Sequence, residues 1–260
     1  MENILKPTEN YKGLSYGNLI ATWTNWLFSS EVDYSEATDI LFLRGSVGTY
    51  ETTTTSKITS NGTGTSTGNK IQSTIDTKFL NQTDENSLVI FRGTAIFVPV
   101  ICAFYKLGDY FEGCRIEDEV GLRNAVFRTV GAGNNMWAKC RYQNDPIEDG
   151  YHIPSAPDLS AHYMESPLFK LFVSERSKLK DKLDEPLEAG VYDAVTGGYF
   201  LLLKNLGGGD YRLRFGGKGK GNYLTDSIYD ITISNTESQS IREAGLKVKS
   251  DIPKRDGFRI

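Results

Sequence analysis

Glycines and basic residues concentrate between Gly197 and Tyr223, where a phosphate-binding loop would be sought first. This stretch, GGYFLLLKNLGGGDYRLRFGGKGKGNY, holds nine of the 26 glycines of the chain and five basic residues. The backbone amides of a glycine-rich turn, together with a lysine, can surround a phosphate group. The first question is therefore whether the stretch binds a nucleotide or forms a tight hairpin.

The phosphate-binding motifs fail at defined positions of this stretch. A P-loop requires Ser or Thr after its Gly-Lys pair, whereas Gly217-Lys218 and Gly219-Lys220 are each followed by Gly. The dinucleotide fingerprint requires a third glycine where Asn222 stands. We therefore expect a hairpin with NLGGGDY as the turn between two strands, and only a small anion site at Lys218 and Lys220 stays open as an alternative.

Other residues that could carry catalysis are few. The two histidines, His152 and His162, lie in a Pro-rich connection without a dense cluster of acids, which indicates structural or surface histidines rather than metal ligands. Cys102, Cys114 and Cys140 are odd in number and lack C-x-x-C spacing, which favours reduced or buried thiols over a disulfide framework or a zinc site. We predict no catalytic residue, no cofactor and no metal.

Composition and charge narrow the classes of partner. The 260-residue chain carries a formal net charge of −4, which supplies no general attraction to nucleic acid or anionic lipid. The N-terminal sequence has no pattern of a secretory leader, and no apolar run approaches the roughly 18 residues of a membrane span. The expected location is a virion or the cell interior.

Two helices are predicted from hydrophobic spacing and end signals. Apolar residues at spacings of three and four predict an amphipathic helix over about 15–29, with Ser15 as its N-cap. A Trp stripe on such a helix is typical of core or interface packing. The stretch IEDEVGLRNAVFRTVGAG predicts a second helix, with acids in its first turn and Gly131 as its C-terminal stop.

The remaining pattern predicts a mainly β protein, a β-sandwich or jelly-roll-like domain with long loops. Residues 1–235 form the expected domain and 236–260 an extended C-terminal arm. The Thr-, Ser- and Gly-rich tract at 52–69 is expected as a polar loop, with a long exposed hairpin as the alternative. Pro99, inside a strand-like run, indicates a strand edge or a bulge.

Two groups of residues are singled out for packing and for partner binding. The predicted core or interface residues are Tyr16, Trp23, Trp26, Phe97, Pro99, Tyr199 and Phe215. The basic residues expected to contact a partner are Lys218, Lys220, Lys247, Lys249, Lys254 and Arg255.

Several motifs resemble those of a family of uncharacterised, usually secreted, bacterial and archaeal proteins. YGNLIATWTNW resembles its opening Y-G-E-W-x-x-x-W-W-x-W, and FLRGS, RGTAIFVPVI and ESPLFKLFV are similar to further elements in the same order. The most specific likeness is AGVYDAVTGGYFLLLKNLGGGDYRLRFGG, which resembles the closing block with its D-G-Y-W-L-M-L-K-P-L hairpin. The resemblance implies no activity, and the chain departs from the family by lacking a leader.

Most departures from the family motifs fall at positions that are ionisable in the family. Its Glu is Asn18 here, its Lys is Thr94, its Asp is Gly197, and its His positions are Tyr211 and Arg214, whereas Leu19 and Thr24 stand at Trp positions. If the family has a polar active site, the resemblance implies that this chain has kept the scaffold and lost the chemistry.

The sequence thus predicts a non-enzymatic structural or assembly protein whose partners are other protein subunits. A virion component, such as a minor capsid or capsid-cement protein, is the expected setting, because arms and long loops are ordered by burial against neighbours. Two alternatives stay open: a carbohydrate- or ligand-binding β-sandwich, suggested by the many aromatic residues, and a hydrolase with a dispersed carboxylate site.

Overall fold

A computed structural model places the described residues in a five-stranded sheet, a four-stranded sheet, two two-stranded sheets and two α-helices. It describes residues 3–29, 40–45, 51–57, 66–72, 88–131, 136–142, 159–177, 179–183, 186–219 and 224–234. In chain order the elements are α1 (Tyr16–Ser29), β1 (Ile40–Phe42), β2 (Glu51–Lys57), β3 (Ser66–Gln72), β4 (Leu88–Phe91), β5 (Ala95–Lys106), β6 (Tyr110–Phe111), β7 (Cys114–Arg115), α2 (Glu119–Val130), β8 (Trp137–Tyr142), β9 (Tyr163–Glu165), β10 (Phe169–Val173), β11 (Gly190–Leu203), β12 (Gly209–Lys218) and β13 (Leu224–Ser234).

Both predicted helices form where the sequence signals place them. In α1 the Ser15 hydroxyl accepts from the Asn18 amide at 3.3 Å, so Ser15 satisfies a free amide at the helix start. In α2 the Asp118 carboxylate accepts from the Gly121 amide at 2.7 Å, and Gly131 with φ +67° ends the helix.

The five-stranded sheet has the order β1-β5-β11-β10, and β9 also pairs with β11. β5 and β11 are antiparallel over most of their length, whereas β1 is parallel to β5. The register of β5 and β11 shifts between two pairs, Tyr199 with Ile101 and Phe200 with Pro99. The irregularity predicted at Pro99 is therefore a β-bulge. β9 and β10 follow each other along the outer edge of β11.

The four-stranded sheet has the order β4-β13-β12-β8 and packs against one face of the five-stranded sheet. One core lies between the two sheets, with Val98, Leu201, Leu213 and Ile231 among its buried residues. A second core lies on the opposite face, where α1 packs on β5, β10 and β11. The central sheet is therefore covered by a helix on one face and by a sheet on the other.

Helix α2 covers a different part of the central sheet. Leu122, Ala125 and Val126 are buried with Val195 of β11 and Ile116. The side chains of β11 alternate, so Val195 faces the same side as Leu201, which contacts the four-stranded sheet. Helix α2 and the four-stranded sheet thus share one face of the central sheet.

The N-terminal segment extends the central sheet beside the end of β11. The Leu5 amide donates to the Leu202 carbonyl at 3.0 Å, and the Lys204 amide donates to the Asn3 carbonyl at 2.7 Å. The Leu202 amide and the Leu5 carbonyl do not bond to each other directly. The buried Tyr16 hydroxyl lies between them, accepting from the Leu202 amide and donating to the Leu5 carbonyl. Helix α1 is thereby tied to the strand edge that its own N-terminal segment covers.

The prediction of a mainly β, sandwich-like fold with an N-terminal helix and one further helix is confirmed. The jelly-roll connectivity is not confirmed, because β1/β5 and β4/β13 are parallel pairs and a jelly roll is antiparallel. In the tract at 52–69, β2 and β3 form an antiparallel pair, as the hairpin alternative predicts. The predicted arm at 236–260 lies outside the described residues.

The prediction that NLGGGDY is the turn of a hairpin is wrong, because the strands on either side of it, β11 and β12, do not pair. β11 belongs to the central sheet and β12 to the four-stranded sheet, so the chain crosses between sheets at 204–208. Asn205, with φ +57°, adopts the left-handed conformation at this crossing. The partner of β12 is β13, paired from Gly209 with Ile233 to Lys218 with Leu224.

Candidate functional site

The residues predicted for packing lie in the two cores. Tyr16, Trp23, Phe97, Pro99, Tyr199 and Phe215 are buried and Trp26 is half-buried. Trp23, Phe97 and Phe200 form a cluster with ring centroids 5.5 to 6.2 Å apart. The Trp stripe of α1 therefore packs against the central sheet.

The basic residues predicted to bind a partner fall mostly outside the described part of the chain. Lys218 lies exposed at the end of β12. Lys220, Lys247, Lys249, Lys254 and Arg255 lie outside the described residues. A joint basic surface therefore stays a prediction.

The two glycines in the middle of β11 are fixed by packing. A Cβ at Gly197 would lie 2.7 Å from Val126 Cγ1 and 2.8 Å from Glu165 Cγ. A Cβ at Gly198 would lie 2.2 Å from the Ile101 carbonyl oxygen, and φ there is +149°. These glycines allow α2, β9 and β5 to approach β11, which accounts for them without a ligand.

A polar cluster surrounds Arg123 of α2. Arg123 Nη1 donates to Glu165 Oε2 at 2.6 Å and to the Ser166 carbonyl at 3.2 Å. Its Nη2 and Nε both donate to Glu119 Oε1. One guanidinium thus bridges two carboxylates and ties α2 to β9.

A tyrosine hydroxyl extends this polar cluster. The second oxygen of Glu165 accepts from the Tyr163 hydroxyl at 2.7 Å. Burial, together with the adjacent Glu165 carboxylate, raises the pKa of Tyr163, so the phenol remains a donor at neutral pH. Each oxygen of Glu165 therefore accepts a hydrogen bond from within the chain.

The aromatic rings beside this cluster meet edge to face. Phe127 and Tyr163 have centroids 5.6 Å apart and planes at 88°, and Tyr163 and Tyr199 have centroids 5.4 Å apart at 69°. Perpendicular rings stabilise packing. A flat platform for a sugar ring would need exposed, roughly coplanar faces.

The described thiols and histidine differ in burial: Cys114 is exposed, whereas Cys140 and His162 are buried. Burial raises the pKa of both Cys102 and Cys140 to about 12, which keeps these thiols protonated and weakly nucleophilic. His162 is buried beside β11, and its Nδ1 has no hydrogen-bond partner. Within the described ranges, no group of three or more His, Cys, Asp or Glu side chains is arranged to hold a metal ion.

A feature not predicted from the sequence is a strip of exposed apolar side chains where α2 meets the edge strands. The exposed apolar strip comprises Val120 (75% exposed) and Phe127 (52%) on α2, Phe172 (54%) on β10 and Val191 (57%) on β11. Phe172 and Val191 are direct cross-strand partners. Beside them Lys170 and Asp193, also a cross-strand pair, form an ion pair of 2.7 Å.

The helical residues of the strip face the edge strands. Arg123 reaches Glu165 of β9, so this side of α2 points towards the outer edge of β11. Val120 and Phe127 lie three residues before and four residues after Arg123, which places them on the same side of the helix.

The helical and strand residues of the strip lie at different levels along β11, and the Lys170–Asp193 ion pair lies between these levels. Val126 lies against Gly197, and the Gly131 carbonyl accepts from the Tyr199 hydroxyl, so α2 runs in the direction of β11. The six-residue step back from Val126 to Val120 spans about 9 Å, or about three strand residues. Val120 therefore lies near the level of Ala194, and Val191 lies about 10 Å further along, where α2 no longer covers the sheet.

Sequence patterns indicate that Phe172 and Val191 are strand residues but not that they are exposed. Phe172 and Val191 are exposed because α2 begins at Glu119 and does not extend over them.

In the described part of the chain, no helix is long and apolar enough to cross a membrane.

Comparison with protein-family models finds no match, and the same holds for curated proteins and for solved structures. The family resemblance of the sequence motifs therefore stays a prediction.

Proposed function

We propose that this chain is a non-enzymatic assembly protein that holds neighbouring protein subunits together. The observation that carries the proposal is the exposed apolar strip: Val120, Phe127, Phe172 and Val191 are each more than half exposed. Single exposed apolar residues are ordinary on protein surfaces. Exposed apolar side chains that are neighbours, as Phe172 and Val191 are across two paired strands, are a candidate interaction surface.

The energetic reason is burial of apolar area. Covering apolar surface contributes about 25 cal/mol for each Å² removed from water. Phe172 and Val191 lie on two paired strands whose backbone is already fixed, so a partner orders little additional chain when it binds there.

The arrangement of the acidic residues supports a non-enzymatic role. Glu119 and Glu165, which share a single site, are joined by Arg123 in one closed network. A hydrolase would need one carboxylate to deliver a proton and another to act across a substrate cleft. The perpendicular stacking of Phe127 and Tyr163 likewise gives no support to a sugar-binding platform.

A virion is the setting that we propose for this assembly, with a role as a minor capsid or capsid-cement protein. Such proteins function through stable lateral contacts, for which a preformed apolar surface on a rigid sheet is suited. The neighbouring subunits are the proposed partners.

The proposal can be tested by site-specific photo-cross-linking in the native source. A photoreactive phenylalanine analogue would replace Phe172 in one variant and Ile228 in a matched control. Ile228 is 46% exposed on the outer face of the four-stranded sheet, away from the strip. We expect abundant interchain products from position 172 and few from position 228. Migration as a single 29.0 kDa chain from both positions would contradict the proposal.

A further inference from the structure

We propose that the outer face of the four-stranded sheet binds single-stranded nucleic acid, through basic side chains on phosphates and an indole stacked on a base. This face is separate from the exposed apolar strip, so the inference goes beyond the proposed function and stands or falls independently of it. The whole chain carries a net charge of −4. Binding to phosphate therefore requires a local concentration of basic side chains, and strands β8 and β12 supply one.

Three basic residues of β12 lie on the outer face. Leu213 and Phe215 are buried in the core between the two sheets. Because side chains alternate along a strand, Arg212, Arg214 and Lys218 lie on the opposite side, and all three are exposed. The outer face of β12 is therefore basic over most of its length.

The neighbouring strand β8 places further basic residues directly opposite. Lys139 is exposed and the residues on either side of it are buried, so it lies on the same outer face. The register pairs Lys139 with Arg214 and, two residues further along, Arg141 with Arg212. Like charges directly opposite each other destabilise a sheet. Two successive basic pairs are thus a feature that an anionic ligand explains and fold stability does not.

Acidic residues of the same sheet do not lie opposite this basic pair. Arg214 has Lys139 on one side and Ile228 of β13 on the other. The neighbouring Arg212 faces Asp230, and its Nε and Nη2 donate to the two oxygens of that carboxylate, both at 2.8 Å. The Asp230 carboxylate is therefore engaged by Arg212, and positive charge is concentrated at Lys139 and Arg214.

An aromatic side chain lies beside the basic pair. Trp137 of β8 is two residues from Lys139, so it lies on the same outer face, where it is partly exposed. Its cross-strand partner is Gly216, which has no side chain, and Asp226 of β13 follows in the same row. An indole beside basic side chains can stack on a base while the cations contact the adjacent phosphates.

The breadth of the face favours a single strand over a duplex. The major groove of a duplex is about 12 Å wide and admits a helix or a two-stranded ribbon, whereas four strands about 4.8 Å apart form a broader surface. The bases of a single strand are free to stack on an indole, whereas those of a duplex are stacked on each other. An acidic polypeptide would engage the cations but offers no bases for Trp137.

The first test is fluorescence anisotropy with labelled single strands of about 15 thymidines or uridines, titrated with the full chain. One variant combines Lys139→Ala with Arg214→Ala. The matched control combines Lys170→Ala with Arg176→Ala, which removes the same charge from exposed positions outside the four-stranded sheet. We expect the dissociation constant to rise at least about tenfold in the first variant and less than about twofold in the control. Circular dichroism establishes that each variant is folded.

The salt dependence of binding counts the phosphate contacts. For single strands the slope of log K against log salt is about −0.7 for each phosphate neutralised, so loss of two contacts should reduce its steepness by about 1.4. Equal weakening in the two double variants would overturn the inference, because it would reflect net charge alone. The absence of binding by the wild type at about 100 μM protein in about 50 mM salt would also overturn it.

Competition identifies the chemical class of the ligand. We expect unlabelled single strands to displace the labelled one, and polyglutamate at the same charge concentration to displace it at least about tenfold less effectively. A duplex of the same length should also compete poorly. Polyglutamate or duplex that competes as well as the single strand would overturn the assignment to single-stranded nucleic acid.

The second test locates the stacked base. The chain has three tryptophans, so Trp137 is the sole one in the double substitution Trp23→Phe and Trp26→Phe. We expect its fluorescence to be quenched as unlabelled single strands saturate the protein. Trp137→Ala should weaken binding at least about fivefold and leave the salt slope unchanged, because it removes stacking and not a phosphate contact. Unchanged emission from Trp137 at saturation would overturn the inference.

Discussion

At the scale of single residues, the close approach of β5 to β11 requires glycine at position 198. A side chain there would need φ +149°, and its Cβ would lie 2.2 Å from the Ile101 carbonyl. Backbone strain and overpacking each cost about 1–3 kcal/mol. We therefore expect Gly198→Ala to lower the free energy of unfolding by about 3 kcal/mol or more, as measured by urea denaturation.

The same strand provides the matched control. A Cβ at Gly190 would make ordinary contacts of 3.5 to 3.7 Å with the ring of Tyr192. Gly190→Ala should therefore leave the unfolding free energy within about 0.5 kcal/mol of the wild type. Equal effects at positions 190 and 198 would show that the close approach of β5 is not what fixes Gly198.

His162 links stability to pH at the residue scale. Burial lowers the pKa of His162 below its usual 6.5, and a hydrogen bond with the Phe200 backbone only partly opposes this effect. In the unfolded chain the imidazole takes up a proton at a higher pH than in the folded protein. The stabilisation from neutral His162 is therefore complete above pH 6.5 and is lost as the pH falls from 6.5 through the lowered folded value.

The expected result is a steeper loss of unfolding free energy between pH 7.5 and pH 5.5 in the wild type than in His162→Gln. His152 is retained in both proteins, so the difference isolates His162. Parallel pH profiles for the two proteins would show that His162 titrates alike in the folded and unfolded chains.

At the scale of elements, Asn25 joins α1 to the outer edge of β10. Its amide supplies one donor and one acceptor to the backbone of β10, at Lys170 and Phe172. Asn25→Ala leaves both backbone groups without this partner, and we expect a loss of about 1 kcal/mol in unfolding free energy. Opening the edge should also promote aggregation, measured by light scattering during incubation.

The control for this change lies on the same helix. Asn18 is exposed in the first turn of α1, so Asn18→Ala makes the same chemical change without opening a strand edge. Similar aggregation of the two variants would argue against protection of β10 by Asn25.

The sequence patterns predict the individual elements better than the partners of the strands. Spacing and caps locate α1 and α2 because helices are determined by local interactions. Strand pairing depends on distant residues, and the hairpin predicted after Leu203 is wrong for this reason. A usable signal was nevertheless present: FLLL of β11 is continuously apolar and buried on both faces, whereas YRLRF of β12 alternates, as expected for an outer sheet.

The candidate site could not be predicted in the same way. Phe172 and Val191 have the sequence character of half-buried strand residues. Their exposure depends on where a helix from another part of the chain begins to cover the sheet. Only the assembled elements determine that boundary.

At the scale of the whole molecule, the central sheet couples the layers. β5 contributes Phe97 to the core under α1 and Val98 to the core between the sheets, and β11 contributes Phe200 and Leu201 in the same way. A polar link also crosses β11: the Thr24 hydroxyl of α1 bonds to the Thr196 hydroxyl at 3.0 Å, and the Thr196 amide donates to Ser166. Neither core can be lost without disrupting strands that the other core needs.

We therefore expect the helix layer and the four-stranded sheet to unfold together. Trp23 and Trp26 report on the helix layer, and Trp137 of β8 reports on the four-stranded sheet. In Trp137→Phe, and separately in the double substitution Trp23→Phe and Trp26→Phe, the urea transition followed by fluorescence should coincide with that followed by far-ultraviolet circular dichroism. Since each variant has its own stability, the comparison is made within each protein. A fluorescence transition that precedes the dichroism transition in either variant would mean that the central sheet survives the loss of one layer.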